Sequence, residues 1–124
     1  MTEPVFIDLR IALLIQQEQI EAFGGSHGLR DQHLLESALG QARQTWAYTS
    51  DMYETAAQYC YSLSNNHPFV DGNKRMGAAC MLVFLELNNI EPNCSVEELF
   101  TWAMEVATGS ISREELASRL RCGA

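Results

Sequence analysis

The sequence predicts an all-α fold of about six helices, and three observations lead to this prediction. Apolar residues recur at helical spacing in most segments, whereas the period-two alternation of strands is almost absent. Most of these segments begin at an Asp or Ser and end at Gly or at an Asn/Pro cluster. The chain has 124 residues and is 47% hydrophobic, which suffices for one core, so we expect a single domain over residues 1–124.

Each helix is predicted from an apolar stripe, and five of the six segments also have a start signal. The expected segments are about 8–23, 31–44, 51–65, 75–87, 95–108 and 112 onward. N-terminal caps are expected at Asp8, Asp31, Asp51, Ser95 and Ser112, with capping-box spacing at the last three. The fourth segment is apolar nearly all round, so it is expected at the centre of the molecule.

The connections between these segments leave alternatives open. Residues 4–7 are either a short edge strand or a lead-in to the first helix. Residues 46–50 are expected to connect the second and third helices. Trp46, Tyr48 and Tyr53 are candidates for lining a nucleotide cleft, although core packing is favoured for each of them.

Charge and hydropathy restrict the class of protein. The net charge of −8 argues against direct binding to nucleic acid and favours a basic protein partner or solubility. No apolar run is long enough for a membrane span, and the N-terminus lacks the basic region of a signal peptide. We therefore expect a cytoplasmic protein without a membrane segment.

The four cysteines are irregularly spaced and include no Cys-x-x-Cys pair that would suggest a zinc or redox centre. Cys60 and Cys80 lie inside apolar segments and are expected to be buried free thiols. Cys122 lies near the C-terminus and is expected to be exposed.

One polar loop between two apolar helical segments carries the candidate site. It reads His67-Pro68-Phe69-Val70-Asp71-Gly72-Asn73-Lys74-Arg75 and contains the single lysine of the sequence. Phe69 and Val70 are expected to anchor the loop to the core, and Pro68 is expected to keep His67 extended. The loop, called the motif loop below, is therefore predicted to be held in place.

The residue types in the motif loop predict chemistry at a phosphate. Gly72 permits a left-handed turn, so that the N–H groups from Gly72 to Arg75 converge at a helix N-terminus as an anion site. Lys74 and Arg75 add positive charge beside these donors. Asp71 would repel phosphate unless Mg²⁺ stood between them. His67 is then the candidate general base for an incoming hydroxyl, which predicts phosphoryl or nucleotidyl transfer.

Plainer interpretations exist for several polar residues. Asp71 and Asn73 are also ordinary turn formers. His27 and His33 lie outside the motif loop and are interpreted as surface or loop residues. Arg30 and Asp31 are either substrate contacts or structural residues that form a cap or a loop ion pair.

The motif loop matches every fixed position of the pattern HPFx[D/E]GN[G/K]R, and here the chain resembles the Fic superfamily. The lysine at position 74 is similar to the death-on-curing (Doc) branch, which comprises toxins of toxin–antitoxin pairs. The resemblance continues upstream through residues 23–25, 28–31, 34–39 and 51–57, and so spans most of the chain.

The resemblance implies a toxin that uses ATP and Mg²⁺ to modify a protein hydroxyl, in the Doc branch on translation elongation factor Tu. The implied site residues are His67 as general base, Asp71 as Mg²⁺ ligand, and Gly72, Asn73, Lys74 and Arg75 at the phosphates. Fic relatives have glycine where Lys74 stands and transfer AMP. A glycine there lets the phosphates pack against bare backbone, whereas the Lys74 side chain would occupy this space and reorient the nucleotide. We therefore favour a protein kinase. The alternatives are an adenylyltransferase and a non-catalytic helical binding module.

Many Fic proteins restrain themselves with a Ser/Thr-x-x-x-Glu-Gly/Asn segment, and this sequence has no match to it. Three partial matches, at residues 50–55, 101–106 and 110–115, fail at the final position. Restraint is therefore expected from another chain, a Phd-like antitoxin that lays a helix in a groove of this protein.

Overall fold

The computed structural model describes residues 3–26 and 28–123. These residues form six helices and one isolated antiparallel β-bridge, which confirms the all-α prediction. The helices are α1 (Leu9–Phe23), α2 (Gln32–Thr49), α3 (Met52–Asn66), α4 (Asn73–Leu87), α5 (Val96–Ala107) and α6 (Arg113–Cys122). Across the described ranges, no helix combines the length and apolar character that a bilayer crossing requires.

Five helices begin at the predicted side-chain caps. An Asp or Ser oxygen accepts a hydrogen bond from a first-turn N–H group at Asp8, Asp31, Asp51, Ser95 and Ser112. Ser95 and Glu98 form the complete reciprocal capping box. At Asp51 only half of the box forms, because the Asp51 N–H donates to the Thr49 hydroxyl.

The second helix is longer than predicted, because residues 45–49 continue α2 instead of forming a connection. The Thr45 and Thr49 hydroxyls donate to carbonyls four residues earlier, at 3.0 and 2.8 Å, and neither Gly nor Pro interrupts the segment. Trp46 is consequently buried, whereas Tyr48 is 92% exposed and does not pack in the core. The prediction of core packing was therefore wrong for Tyr48.

Residues 4–7 form a lead-in segment and not an edge strand. The Asn88 side chain takes the place of a strand partner, since its Oδ1 accepts from the Val5 N–H and its Nδ2 donates to the Val5 carbonyl. The Ile7 N–H donates to the Tyr59 hydroxyl at 2.9 Å, and the Ile7 side chain is buried. These contacts tie the chain start to α3 and to the end of α4.

The core is organised around α3 and α4. Helix α3 packs against α2, α4, α5 and α6, and α4 packs against α1, α3 and α5. Gly77 allows the central pair to approach closely, because a Cβ there would lie 2.8 Å from both the Cys60 carbonyl oxygen and Ser64 Oγ. The motif loop joins these two helices, as predicted, although α4 begins at Asn73, two residues earlier than expected.

Cys60 and Cys80 are buried free thiols, and Cys122 is an exposed one, as predicted. Burial raises the pKa of the Cys60 thiol to about 12. Burial also raises the pKa of the Cys80 thiol, and the nearby Cys60 adds to this effect. Both core thiols therefore stay protonated and act as small apolar side chains.

Candidate active site

His67 ends α3 in a left-handed backbone conformation, with φ 50° and ψ 53°. The expectation that Pro68 keeps His67 extended was therefore wrong. A left-handed residue often closes a helix C-terminus, and histidine adopts this conformation more readily than most other residues. His67 is exposed, and one side chain from elsewhere in the described chain donates two hydrogen bonds to its carbonyl oxygen.

Arg30 supplies those bonds and caps the C-terminus of α3. Its Nε and Nη2 donate to the His67 carbonyl at 2.8 and 2.6 Å, and Nη2 also lies 3.4 Å from the Asn66 carbonyl. Of the roles considered for Arg30 from sequence, the structure therefore shows the structural cap. Asp31, the next residue, caps α2 by accepting from the Leu34 N–H.

The segment of residues 28–31 runs antiparallel to the motif loop. The N–H groups of Arg30 and Asp31 both donate to the Pro68 carbonyl, at 2.8 and 3.0 Å. The Val70 N–H donates to the Gly28 carbonyl at 3.2 Å. These backbone bonds hold the motif loop against the connection between α1 and α2.

The two apolar residues of the motif loop have different environments. Phe69 forms the β-bridge with Leu29 and is 1% exposed, which confirms it as a core anchor. Val70 is 56% exposed, and its expected anchoring role was wrong. Adjacent side chains in extended backbone point to opposite sides, so burying Phe69 turns Val70 outward.

Asn73 closes the motif loop at its base. Its Oδ1 accepts from the Phe69 N–H at 2.9 Å, and its Nδ2 donates to the Phe69 carbonyl at 3.0 Å. The carboxamide therefore holds the loop, which agrees with the plainer interpretation of Asn73 as a turn former. Phosphate binding by Asn73, through its backbone N–H or its second amide hydrogen, stays a prediction.

Asp71 is held by the segment that follows α1. Its Oδ2 accepts from the Ser26 N–H at 3.3 Å, and its Oδ1 accepts from the Gly72 N–H at 2.8 Å. Gly25 lies so close that a Cβ would be 2.8 Å from Asp71 Oδ2. No local signal in the sequence connects Gly25 to a carboxylate so distant in the chain.

The N-terminus of α4 has the character of an anion site. Gly72 is left-handed, as predicted, but its N–H bonds to Asp71, so the predicted nest begins at Asn73. No side chain of the described residues caps this helix. Lys74 is exposed, and Arg75 lies over the Phe23 ring at 5.4 Å with Nη2 3.4 Å from the Gly24 carbonyl. Free N–H groups and two cations at a helix start attract anions.

A divalent cation at Asp71 would need ligands from elsewhere. The described residues contain no cluster of three or more His, Cys, Asp or Glu suited to a metal. Each Asp71 oxygen accepts one hydrogen bond and keeps lone-pair capacity. Mg²⁺ is often bound by one or two carboxylates together with phosphate oxygens, and Asp71 fits an ion that arrives with a nucleotide.

The fold and the site define a class of protein: a small helical domain in which a histidine and an uncapped helix N-terminus flank one restrained polar loop. A model of the Fic/DOC family matches residues 6–85. The chain is 32% identical over 111 residues to the protein kinase doc of Escherichia phage P1, covering 88% of this chain and 87% of that relative. It is 34% identical over 105 residues to the toxin Doc of Mycolicibacterium smegmatis, covering 80% of each. The chain belongs to the Fic/Doc family.

Proposed function

We propose that this protein is a Doc-type toxin that phosphorylates a hydroxyl of a translation elongation factor with ATP and thereby arrests growth. The names of the two relatives, a protein kinase doc and a toxin Doc, support the proposal. The observation that carries it is the motif loop, which holds an exposed histidine beside an uncapped, positively charged helix start.

In the proposed reaction His67 accepts the proton of the acceptor hydroxyl. The hydroxyl oxygen forms a bond to the γ-phosphorus while the bond from phosphorus to the bridging oxygen breaks, and ADP leaves with that electron pair. The N–H groups at the start of α4, with Lys74 and Arg75, bind the phosphate oxygens. Mg²⁺ between Asp71 and the phosphates would neutralise part of their charge.

Lys74 favours transfer of the γ-phosphate over transfer of AMP. Its side chain is exposed at the first turn of α4, where glycine would leave the backbone bare for phosphate. None of the ion pairs in the described part of the chain includes Lys74, so its charge is available to a ligand. A nucleotide held by this ammonium group would present its γ-phosphate to His67.

The experiment that tests this function uses ATP labelled at either the α- or the γ-phosphate. The protein is incubated with Mg²⁺ and purified elongation factor Tu, and in parallel with cell lysate. Label from γ alone is expected, and Lys74→Gly should shift incorporation towards α. Label from α in the unmodified protein would establish adenylylation, and absence of label in both mixtures would favour a non-catalytic binding module.

A Phd-like antitoxin is the proposed regulator of this protein. The proposed action of the protein on a translation factor would take place in the cytoplasm. The absence of a self-inhibitory segment from the sequence supports a separate inhibitor. Exposed apolar side chains such as Leu14, Phe23 and Leu87 offer contact area for a partner helix. Expression of this chain alone should stop growth, and co-expression with a cognate Phd-like antitoxin should restore it. Unimpaired growth without the antitoxin would contradict the proposal.

A further inference from the structure

The C-terminus of α3 is closed differently from the other helix ends in the described part of the chain. Each of the other five C-cap residues donates its own N–H to a carbonyl in the last turn: Gly24, Ser50, Asn88, Thr108 and Gly123. His67 makes no such bond, and the next residue, Pro68, has no N–H to donate. The last carbonyls of α3 therefore need a donor from another segment.

Arg30 is that donor, and its charge is directed at α3. Its Nε and Nη2 converge on the His67 carbonyl oxygen. Ion pairs within the described ranges use His33, Arg113, Arg119 and Arg121, so no carboxylate there competes for Arg30. A cation at a helix C-terminus also interacts favourably with the helix dipole. The Arg30 backbone is itself fixed, because its N–H donates to the Pro68 carbonyl.

The His67 conformation depends on this support. A left-handed conformation is unfavourable for a residue with a Cβ, and it persists only where the surroundings hold it. The values of φ and ψ set the direction of the Cα–Cβ bond, and therefore the direction of the imidazole. Arg30 contacts the chain on both sides of the His67 Cα: its Nη2 lies 3.4 Å from the Asn66 carbonyl, its Nε donates to the His67 carbonyl, and its backbone N–H donates to the Pro68 carbonyl.

We propose that Arg30 is a positioning residue for His67: its guanidinium holds the His67 peptide so that the imidazole faces the acceptor hydroxyl. The kinetic test of this role rests on the proposed transfer function. The effect of Arg30 on the orientation of the His67 ring can be measured without any transfer activity. Arg30 touches neither substrate nor phosphate in this role.

The kinetic test compares Arg30→Ala with Arg10→Ala, which removes an exposed arginine on α1. Misplacing a catalytic group by about 1 Å lowers rates by about 10²-fold, so kcat should fall by about that factor in Arg30→Ala. The KM for ATP should stay unchanged, because the phosphate-binding residues on α4 are intact. Arg30→Lys should recover only part of the rate, since an ammonium group cannot reproduce the guanidinium fork. Added guanidinium ion should partly rescue Arg30→Ala.

A second measurement does not require transfer activity. The ring signals of the histidines are followed by NMR, with His67 assigned by its loss in His67→Ala. Arg30→Ala should shift or broaden the His67 signal and leave the His33 signal unchanged. If the unmodified protein transfers no phosphate, the proposed function fails, and the ring signal alone decides the role of Arg30.

Three results would overturn the positioning role. The first is an unchanged kcat in Arg30→Ala, and the second is an unchanged His67 ring signal in that variant. The third is a loss of activity that merely follows the folded fraction, with guanidinium giving no rescue. If Arg30→Ala does not fold, Arg30→Lys carries both measurements.

Discussion

The contact between α3 and α4 and the loop that joins them are built on different principles. Along the contact, Gly77 brings two backbones together and leaves no space for even one methyl group. In the motif loop, the Arg30 side chain holds a polar backbone in which His67 is left-handed and exposed. The packed pair α3 and α4 therefore supplies stability. The proposed chemistry is located in the motif loop, where side chains are exposed.

His67→Ala is expected to give the largest difference between an effect on activity and an effect on stability. Removing a general base should lower phosphate transfer by about 10²- to 10⁴-fold, while the melting temperature stays close to that of the unmodified protein because the residue is exposed. His33→Ala is the control, since its side chain is 97% exposed outside the motif loop. Transfer that survives in His67→Ala would remove this residue from the mechanism.

The motif loop itself contains one residue that packs in the core, Phe69, and one that is exposed, Val70. Phe69→Ala should reduce the free energy of unfolding by about 3–5 kcal/mol, because it empties a fully buried site. Val70→Ala should change it by no more than about 0.5 kcal/mol, because the side chain is exposed. Urea unfolding of both variants measures the difference, and equal losses would show that the loop is not divided in this way.

Replacing glycine by alanine at Gly77 and at Gly40 tests the close packing of α3 against α4. Gly77→Ala should destabilise the protein by about 1–3 kcal/mol, since its methyl group would meet the Cys60 carbonyl. Gly40→Ala should stabilise by about 0.5–1 kcal/mol, because Gly40 lies inside α2 with nothing within 4 Å of the added Cβ. Two stabilised variants would mean that α3 and α4 are less closely packed than described.

Alkaline pH is expected to lower the stability of the folded protein without any mutation. Burial raises the pKa of Cys60 to about 12 and also raises the pKa of Cys80, whereas an unfolded thiol titrates near about 8.5. Between these values the unfolded chain has lost protons that the folded protein retains, so the free energy of unfolding falls as pH rises. Below about pH 8 the stabilisation from these thiols is complete. Burial raises the pKa of Tyr59 as well, which acts in the same direction at higher pH.

Urea unfolding at pH 8 and pH 10 measures this loss. Cys60→Ala should remove the contribution of the Cys60 thiol to the pH dependence of the free energy of unfolding. This contribution is at most about 1.4 kcal/mol per pH unit. A stability that rises over this interval in the unmodified protein would contradict the assignment of buried thiols.

Local signals made most of the fold predictable, and the site was predictable only in part. Caps such as Asp8 and Ser95 act within four residues, so spacing alone reveals them. Arg30 lies 37 residues from His67, and Ser26 lies 45 residues from Asp71, and no periodicity connects such pairs. The local restriction that Pro68 imposes on His67 pointed to the wrong conformation, because a distant guanidinium closes the helix instead.

Asn73 shows why the base of the motif loop is an amide and not an acid of the same shape. Its two ends meet opposite partners on one residue, an acceptor facing an N–H and a donor facing a carbonyl. An aspartate would place negative oxygen against that carbonyl, and a glutamine would be one methylene too long. Hydrolysis of this single carboxamide would therefore break the closure of the loop while leaving Lys74 and Arg75 chemically unchanged.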